Sequence, residues 1–450
     1  MKVHFIAMGG SAMHNLAIAL HKKGFEITGS DDVFTEPSKS RLARFSLLPD
    51  LAGWFPNKIT ADLDAVILGM HARLDNPELL EAQKKGIQIY SYPEYVYEQS
   101  KNKLRVVVGG SHGKTTITSM ILHVLKEASV KFDYLVGAQL EGFDTMVQLT
   151  DAPLIIIEGD EYLASPIDRR PKFHLYQANI GLISGIAWDH INVFPTFEIY
   201  LQQFAVFIDT ISAGGELIYC GQDQILNKLV TEKTSNIKKV AYSFPEYSID
   251  NGITSIIYQQ KKYPLQVFGQ HNLLNLEAAK VVCKALNIND EVFYNAIATF
   301  KGAAKRLELI GRNLHTNVYK DFAHSPSKLT ATIQAVKQQF PNRKLVACIE
   351  LHTFSSLNKT FLQEYKSTMD AADEAIVYID NHVFVQKNME PYSAQQVKEA
   401  FKNEDIIFFN QVEELFKHLK NLNYNNTNLL LMSSGTFSGT DLSKFAETIL

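Results

Sequence analysis

Three consecutive valines, Val106-Val107-Val108, run into the turn Gly109-Gly110-Ser111-His112-Gly113, and Lys114-Thr115-Thr116 then opens an apolar-periodic stretch. A β-branched strand, a glycine turn and a helix in that order imply a strand-to-helix crossing of a parallel sheet, with the turn at the carboxyl end of the strand. Ile117, Met120, Ile121, Val124 and Leu125 recur at helical spacing after the turn. Such a turn cradles phosphates: glycines at 109, 110 and 113 admit backbone N–H groups to phosphate oxygens, Lys114 offsets β/γ charge, and Thr115 offers a hydroxyl to Mg2+. The spacing is the short G-x-x-G-K-T form, because Val108 stands where the longer motif has its first glycine. ATP use is the leading expectation, with a plain glycine turn as the structural alternative.

The chain of 450 residues is too long for one ordinary core and predicts two to four domains. A formal net charge of -4, spread without a basic stripe, disfavours nucleic acid as a partner. Cys220, Cys283 and Cys348 are far apart and never in C-x-x-C spacing, so they predict buried thiols in a reducing compartment rather than disulfides or zinc. Val3 to Met8 is too short for a signal peptide and runs into Gly9-Gly10; no run reaches the ~18 to 20 apolar residues of a membrane span. The expectation is a cytoplasmic α/β enzyme with no membrane partner.

Short apolar runs alternating with amphipathic stretches form three α/β blocks, assigned here as 1–102, 103–302 and 303–450, with a linker near 98–104. The first holds runs at 3–7, 25–28, 65–68 and 87–89. The second continues through 132–136, 154–157, 180–183 and 216–219 to a hairpin at 253–267 and a helix at 272–286. The third has runs at 318–322, 345–349, 375–378, 406–408 and 429–432.

Parallel sheets collect functional groups at the carboxyl ends of their strands. After Ile155-Ile156-Ile157 comes Glu158-Gly159-Asp160-Glu161, and after the run at 180–186 comes Trp188-Asp189-His190. Glu158 suits Mg2+, which takes one or two carboxylates beside phosphate oxygens and water. Asp160 and Glu161 could equally belong to a solvated loop, and His190 could be a packed histidine. Gly9-Gly10-Ser11 after the first run is a second glycine turn suited to a diphosphate, and Asp31 at the next strand end could bind a sugar, although close helix packing also explains the glycines.

These residues, together with Gly269-Gln270-His271-Asn272-Leu273-Leu274-Asn275, Lys305-Arg306-Leu307-Glu308 and Asp321-Phe322-Ala323-His324-Ser325-Pro326, stand in the order seen in Mur ligases, and the resemblance spans essentially the whole chain. It implies a Rossmann-like N-terminal domain for a UDP-sugar, a central P-loop ATPase domain with a mostly parallel sheet, and a Rossmann-like C-terminal domain for the amino substrate. It implies catalytic roles for Lys114, Glu158, His190 and Arg306. ATP would contact Gly110, Ser111, His112, Gly113, Lys114, Thr115, Thr116, Asn272, Asn275, Arg306 and Asp321. Mg2+ would be held by Thr115, Glu158 and His190, and the UDP-sugar by Gly9, Gly10, Ser11, Asp31 and His71. His271 and His324 would neighbour the site without entering its chemistry.

His112 resembles the branch acting on UDP-N-acetylmuramate. Within it, the long stretch Glu161 to Phe173, containing Asp168-Arg169-Arg170-Pro171-Lys172, is similar to ligases that add L-alanyl-γ-D-glutamyl-meso-diaminopimelate; addition of L-alanine is the alternative. Residues 191–208 contain no lysine, so the carbamylated lysine of sister ligases is not expected. Glu350 to Ser356 lacks an arginine that either branch would lead one to expect, and His324-Ser325-Pro326 replaces a frequent His-His-Pro.

Overall fold

The computed structural model describes residues 1–140, 142–303, 306–387 and 389–450; Lys305 of the Lys305-Arg306 motif lies outside them. The chain forms two compact units. One comprises Met1–Ile186, Phe197–Ser243 and Ala278–Val292, and the other Ala187–Thr196, Phe244–Glu277 and Phe293–Leu450.

The first unit carries two sheets. Its four-stranded parallel sheet has the order Glu26–Ser30, Lys2–Ile6, Ala65–Leu68, Ile89–Ser91. Its seven-stranded sheet runs Lys238–Tyr242, Glu216–Cys220, Ile180–Ile183, Leu104–Gly109, Leu154–Glu158, Asp133–Leu135, Val147–Gln148, with only the last pair antiparallel. Val106, Val107 and Val108 are fully buried because helices cover both faces of a parallel sheet, which is why the run is continuous rather than alternating. The helix Lys114–Glu127 buries Ile117, Met120, Ile121, Val124 and Leu125 completely, as their spacing predicts. The two sheets are linked within the unit: Met146 N donates to Asn15 Oδ1 at 3.0 Å, and Arg41 Nη2 to Gln139 Oε1 at 2.8 Å.

The second unit also carries two sheets. The expected hairpin is part of a three-stranded antiparallel sheet, Tyr247–Asp250, Ile253–Tyr258, Lys261–Pro264. The six-stranded sheet has the order Glu308–Arg312, Thr316–Asp321, Thr427–Met432, Lys344–Glu350, Glu374–Tyr378, Ile407–Phe409. All its pairs are parallel except the edge pair formed by Glu308–Arg312, a half-exposed strand broken by a register shift between Leu309 and Gly311. Charged ends and a bulge are what an edge strand tolerates, and they hid this one from the apolar pattern.

Candidate active site

The turn after Leu104–Gly109 lies at the carboxyl end of the middle of the seven-stranded sheet, flanked by Ile180–Ile183 and Leu154–Glu158. Gly110 has a φ of 123°, and a Cβ there would sit 2.1 Å from Ser184 Oγ. Gly113, φ 77°, is the residue before the helix Lys114–Glu127. Ser111 N donates to the Gly185 carbonyl at 3.0 Å, and the Ser184 hydroxyl donates to the His112 carbonyl. The neighbouring strand end thus fastens the turn while the helix N-terminus keeps its N–H groups for an anion.

Lys114 Nζ donates to the Gly110 carbonyl at 2.8 Å and to Glu161 Oε2 at 2.6 Å. Glu161 is fully enclosed, and its other oxygen accepts from Tyr200 Oη at 3.3 Å. Tyr200 Oη in turn lies 2.8 Å from Ser111 Oγ in the phosphate turn. Burial opposes the charged ammonium, but Glu161, Asp160 and Glu158 outweigh it and hold the Lys114 pKa above its ordinary value. A cation is therefore stored where a triphosphate would place charge.

Glu158 closes its strand inside the same corner. Its Oε1 accepts from Thr115 Oγ1 at 2.7 Å and its Oε2 from Gly137 N at 2.6 Å. A Cβ on Gly137 would lie 2.9 Å from Glu158 Oε1, so a larger residue there would displace that carboxylate. One hydroxyl and one carboxylate, both hard oxygen donors, stand side by side, which fits a Mg2+ ion completed by phosphate oxygens and water.

The first sheet repeats the device with different chemistry. Gly9 N donates to Asp31 Oδ2 at 2.6 Å and Asp32 N to Asp31 Oδ1 at 2.9 Å. A Cβ on Gly9 would come within 2.9 Å of Asp31 Oδ2 and 3.0 Å of the Val33 carbonyl. Burial, reinforced by Asp32, pushes the Asp31 carboxyl up to about 6. The helix Ser11–Lys22 begins just after Gly10 with Ser11 exposed and no acidic residue in its first turn. Gly69 N donates to the Ile6 carbonyl at 2.9 Å, so the exposed His71 belongs to the same carboxyl edge as Gly9, Gly10, Ser11 and Asp31.

The other expected residues fall in the second unit. His190 has a φ of 55°, and its N donates to Asp189 Oδ1 at 2.8 Å. Burial would raise the Asp189 pKa, but Lys328, 3.7 Å away, with His190 and His324, holds it well below the usual carboxylate range. Trp188 meets Phe361 edge-on at 6.3 Å, so the His190 segment packs with the helices of the six-stranded sheet. Asn272 and Arg306 line one cavity of about 830 Å³. The Arg306 guanidinium lies 4.6 Å from the centre of the Phe322 ring, and Asn275 is buried one turn beyond Asn272. Asp321 accepts from Leu307 N at 2.5 Å, which ties it to the Arg306 motif, and from Ala323 N at 2.6 Å. Burial raises its pKa against the pull of Arg306. His271 and His324 are both pushed down to about 4 by burial and are neutral near pH 7.

Glu161 is the residue that sequence reasoning undervalued. A carboxylate three positions after a strand reads as solvated loop, and its burial depends on Tyr200, which arrives from the helix Phe197–Asp209 far along the chain.

A phosphate turn with a stored lysine and a paired hydroxyl and carboxylate defines an enzyme that works on a nucleoside triphosphate. Comparison with known proteins gives the class more closely. Residues 2–103 match the Mur ligase family catalytic domain, 108–283 the Mur ligase middle domain, and 305–435 the Mur ligase glutamate ligase domain. The chain is 30% identical over 388 residues to the UDP-N-acetylmuramate–L-alanine ligase of Clostridium kluyveri, covering 84% of this chain and 82% of that one. Its fold is similar to the crystal structure of a UDP-N-acetylmuramate-alanine ligase from Thermotoga maritima, with a TM-score of 0.71, 21% identity and coverage of 100% and 98%. It is likewise similar to a murein peptide ligase from Psychrobacter arcticus, with a TM-score of 0.66, 20% identity and the same coverage. The chain belongs to the Mur ligase family, whose members are ATP-dependent amide-bond ligases. Among the described residues no helix is long and apolar enough to cross a membrane.

Proposed function

We propose that the enzyme joins the lactyl carboxylate of UDP-N-acetylmuramate to the amine of L-alanyl-γ-D-glutamyl-meso-diaminopimelate, in the cytoplasm. Blocks 1–102, 103–302 and 303–450 take the UDP-sugar, ATP and the amine respectively. The feature that favours this amine is the stretch Glu161 to Phe173, which resembles that of ligases adding the tripeptide. It starts at the Lys114 ion pair, closes on itself through a bridge between Leu163 and Pro171, and ends near Arg170, which pairs with Asp168 at 2.7 Å and with Glu94 of the first block at 3.2 Å. L-Alanine is the competing amine, favoured by the name of the Clostridium kluyveri relative.

A carboxylate is a poor electrophile, so it first attacks the γ-phosphorus of ATP; the bond to the β,γ-bridging oxygen breaks, giving an acyl phosphate and ADP. The amine then attacks the acyl carbon, phosphate leaves with the C–O bond pair, and the amine loses its proton. This chain's residues supply position and charge. Gly110 to Gly113 present N–H groups, Lys114 follows the transferring phosphoryl group, and Thr115 with Glu158 would hold Mg2+, with His190 assigned to a second ion. When bound, Mg2+ neutralises phosphate charge. Asn272 and Asn275 are assigned to the adenine side or the metal-bound phosphates, Arg306 to phosphate and Asp321 to the ribose, while Gly9, Gly10, Ser11, Asp31 and His71 take the UDP-sugar.

Phosphate release from ATP with UDP-N-acetylmuramate, measured with the tripeptide and with L-alanine separately, tests the proposal. Turnover with tripeptide alone supports it. Turnover with L-alanine alone moves the enzyme to the competing reaction, and silence with both overturns the sugar substrate.

A further inference from the structure

The cavity that holds Asn272 and Arg306 extends well beyond them, along the edge strand Glu308–Arg312. Its volume of about 830 Å³ is that of a small-molecule site. Lys301, Arg306, Arg312 and Arg343 line it, and no Asp or Glu does among the described residues. Five residues lie between Arg306 and Arg312, and Glu308–Arg312 is a strand, so the two arginines stand at opposite ends of that edge strand.

The far end has its own construction. Arg343 donates to Asn428 Oδ1 at 3.3 Å and to the Leu314 carbonyl at 3.4 Å, both neutral, and its guanidinium lies 5.3 Å from the Phe340 ring centre. The nearby carboxylates are already engaged, Asp373 by Lys337 at 2.6 Å and Glu374 by Lys344 at 2.7 Å. Arg312, Arg343 and Tyr319 all line the cavity, and both guanidiniums pull against the rise that burial gives the Tyr319 phenol pKa. Phe268 meets Tyr319 at 5.7 Å and Phe340 at 6.0 Å, giving the cavity an aromatic floor. Its walls are pinned, since Gln339 Nε2 donates to the Gly252 carbonyl at 2.6 Å while Gln339 Oε1 accepts from Thr254 Oγ1 at 2.9 Å.

Cations of one sign in a walled cleft concentrate anions, and guanidinium forks match phosphate oxygens. A flat ring would complete the aromatic floor. We infer that the Arg312–Arg343 end of this cavity is a second site, distinct from the phosphate turn, for the phosphate of a nucleotide whose base lies against Phe268 and Phe340. It goes beyond the ligase reaction and is independent of which amine is used.

The test is calorimetric titration of ADP with Mg2+ into the full chain, read as sites per chain. Two sites are expected. Arg312→Ala with Arg343→Ala should weaken one of them at least tenfold while turnover at saturating ATP is unchanged, and Lys114→Ala should weaken the other. Because Arg343 also bonds within the fold, Arg312→Glu at its exposed position serves as the second variant and should show the same selective loss with an unchanged melting temperature. One ADP per chain in the unaltered protein, or two retained with unchanged affinities in both arginine variants, would overturn the inference. A single ADP weakened by the arginine changes and by Lys114→Ala alike would make the cavity an extension of the catalytic nucleotide site.

Discussion

The turns at Gly9-Gly10 and at Gly109 to Gly113 are the same backbone device. Each follows a buried parallel strand, opens a helix and depends on a glycine where a Cβ would strike a neighbour, Asp31 in one case and Ser184 in the other. What differs is the charge each turn gathers. The second has Lys114 at the start of its helix, an enclosed Glu161 beneath that lysine, and Thr115 bonded to Glu158. The first has no charged residue in its first helical turn, and the buried carboxylate beside it, Asp31, is spent on the Gly9 N–H. A helix N-terminus is enough to bind a phosphate group. Moving a phosphoryl group needs fixed charge beside it, and only the second turn has it.

The comparison predicts separable losses. Lys114→Ala should lower ATP-dependent phosphate release about a thousandfold, the scale of losing a key electrostatic group, while UDP-N-acetylmuramate binding by calorimetry stays within about twofold; equal loss of both would merge the two turns into one function. Glu158→Gln should cost roughly a hundredfold and raise the Mg2+ concentration at half-maximal rate, because the hydroxyl of Thr115 remains but the anionic oxygen is gone. An unchanged Mg2+ requirement would remove Glu158 from the metal site. Gly9→Ala should act in the opposite sense, weakening UDP-sugar binding about tenfold and costing about 1–3 kcal/mol in denaturant melts through overpacking, with the rate at saturating sugar nearly kept.

The smallest effect concerns acidity. The Asp31 pKa is raised to about 6 in the folded chain, so between its unfolded value and pH 6 the folded state holds the extra proton. Its stabilising contribution is complete below the unfolded pKa and fades as pH rises through about 6. Asp31→Asn should flatten that part of the stability profile relative to the unaltered chain, measured by chemical melts from pH 4 to 7. A parallel profile would show that the Asp31 environment is not the buried one described.

The two turns were also unequally legible in the sequence. Val106-Val107-Val108 and the Lys-Thr pair declare the second turn locally, and Glu158 follows from its strand end. Mur ligase order carried the rest of the fold, with the buried parallel strands visible as apolar runs. Glu308–Arg312 and Tyr247–Asp250 were not visible, because edge and antiparallel strands with one wet face lack such runs. Glu161 was hidden for another reason: its role depends on Tyr200, a partner that only the tertiary fold supplies. The same holds for Arg312, in the edge strand, and Arg343, in the turn before Lys344–Glu350, which read singly as surface charge.

The most direct measurement follows oxygen through the reaction. UDP-N-acetylmuramate labelled with ¹⁸O in its lactyl carboxylate is turned over with ATP and the productive amine, and the released phosphate is analysed by mass spectrometry. Attack of the carboxylate on the γ-phosphorus predicts one ¹⁸O atom in each phosphate and one left in the amide. Phosphate free of label would contradict the acyl phosphate, and with it the assignment of the Lys114–Glu158 corner to phosphoryl transfer onto the sugar carboxylate.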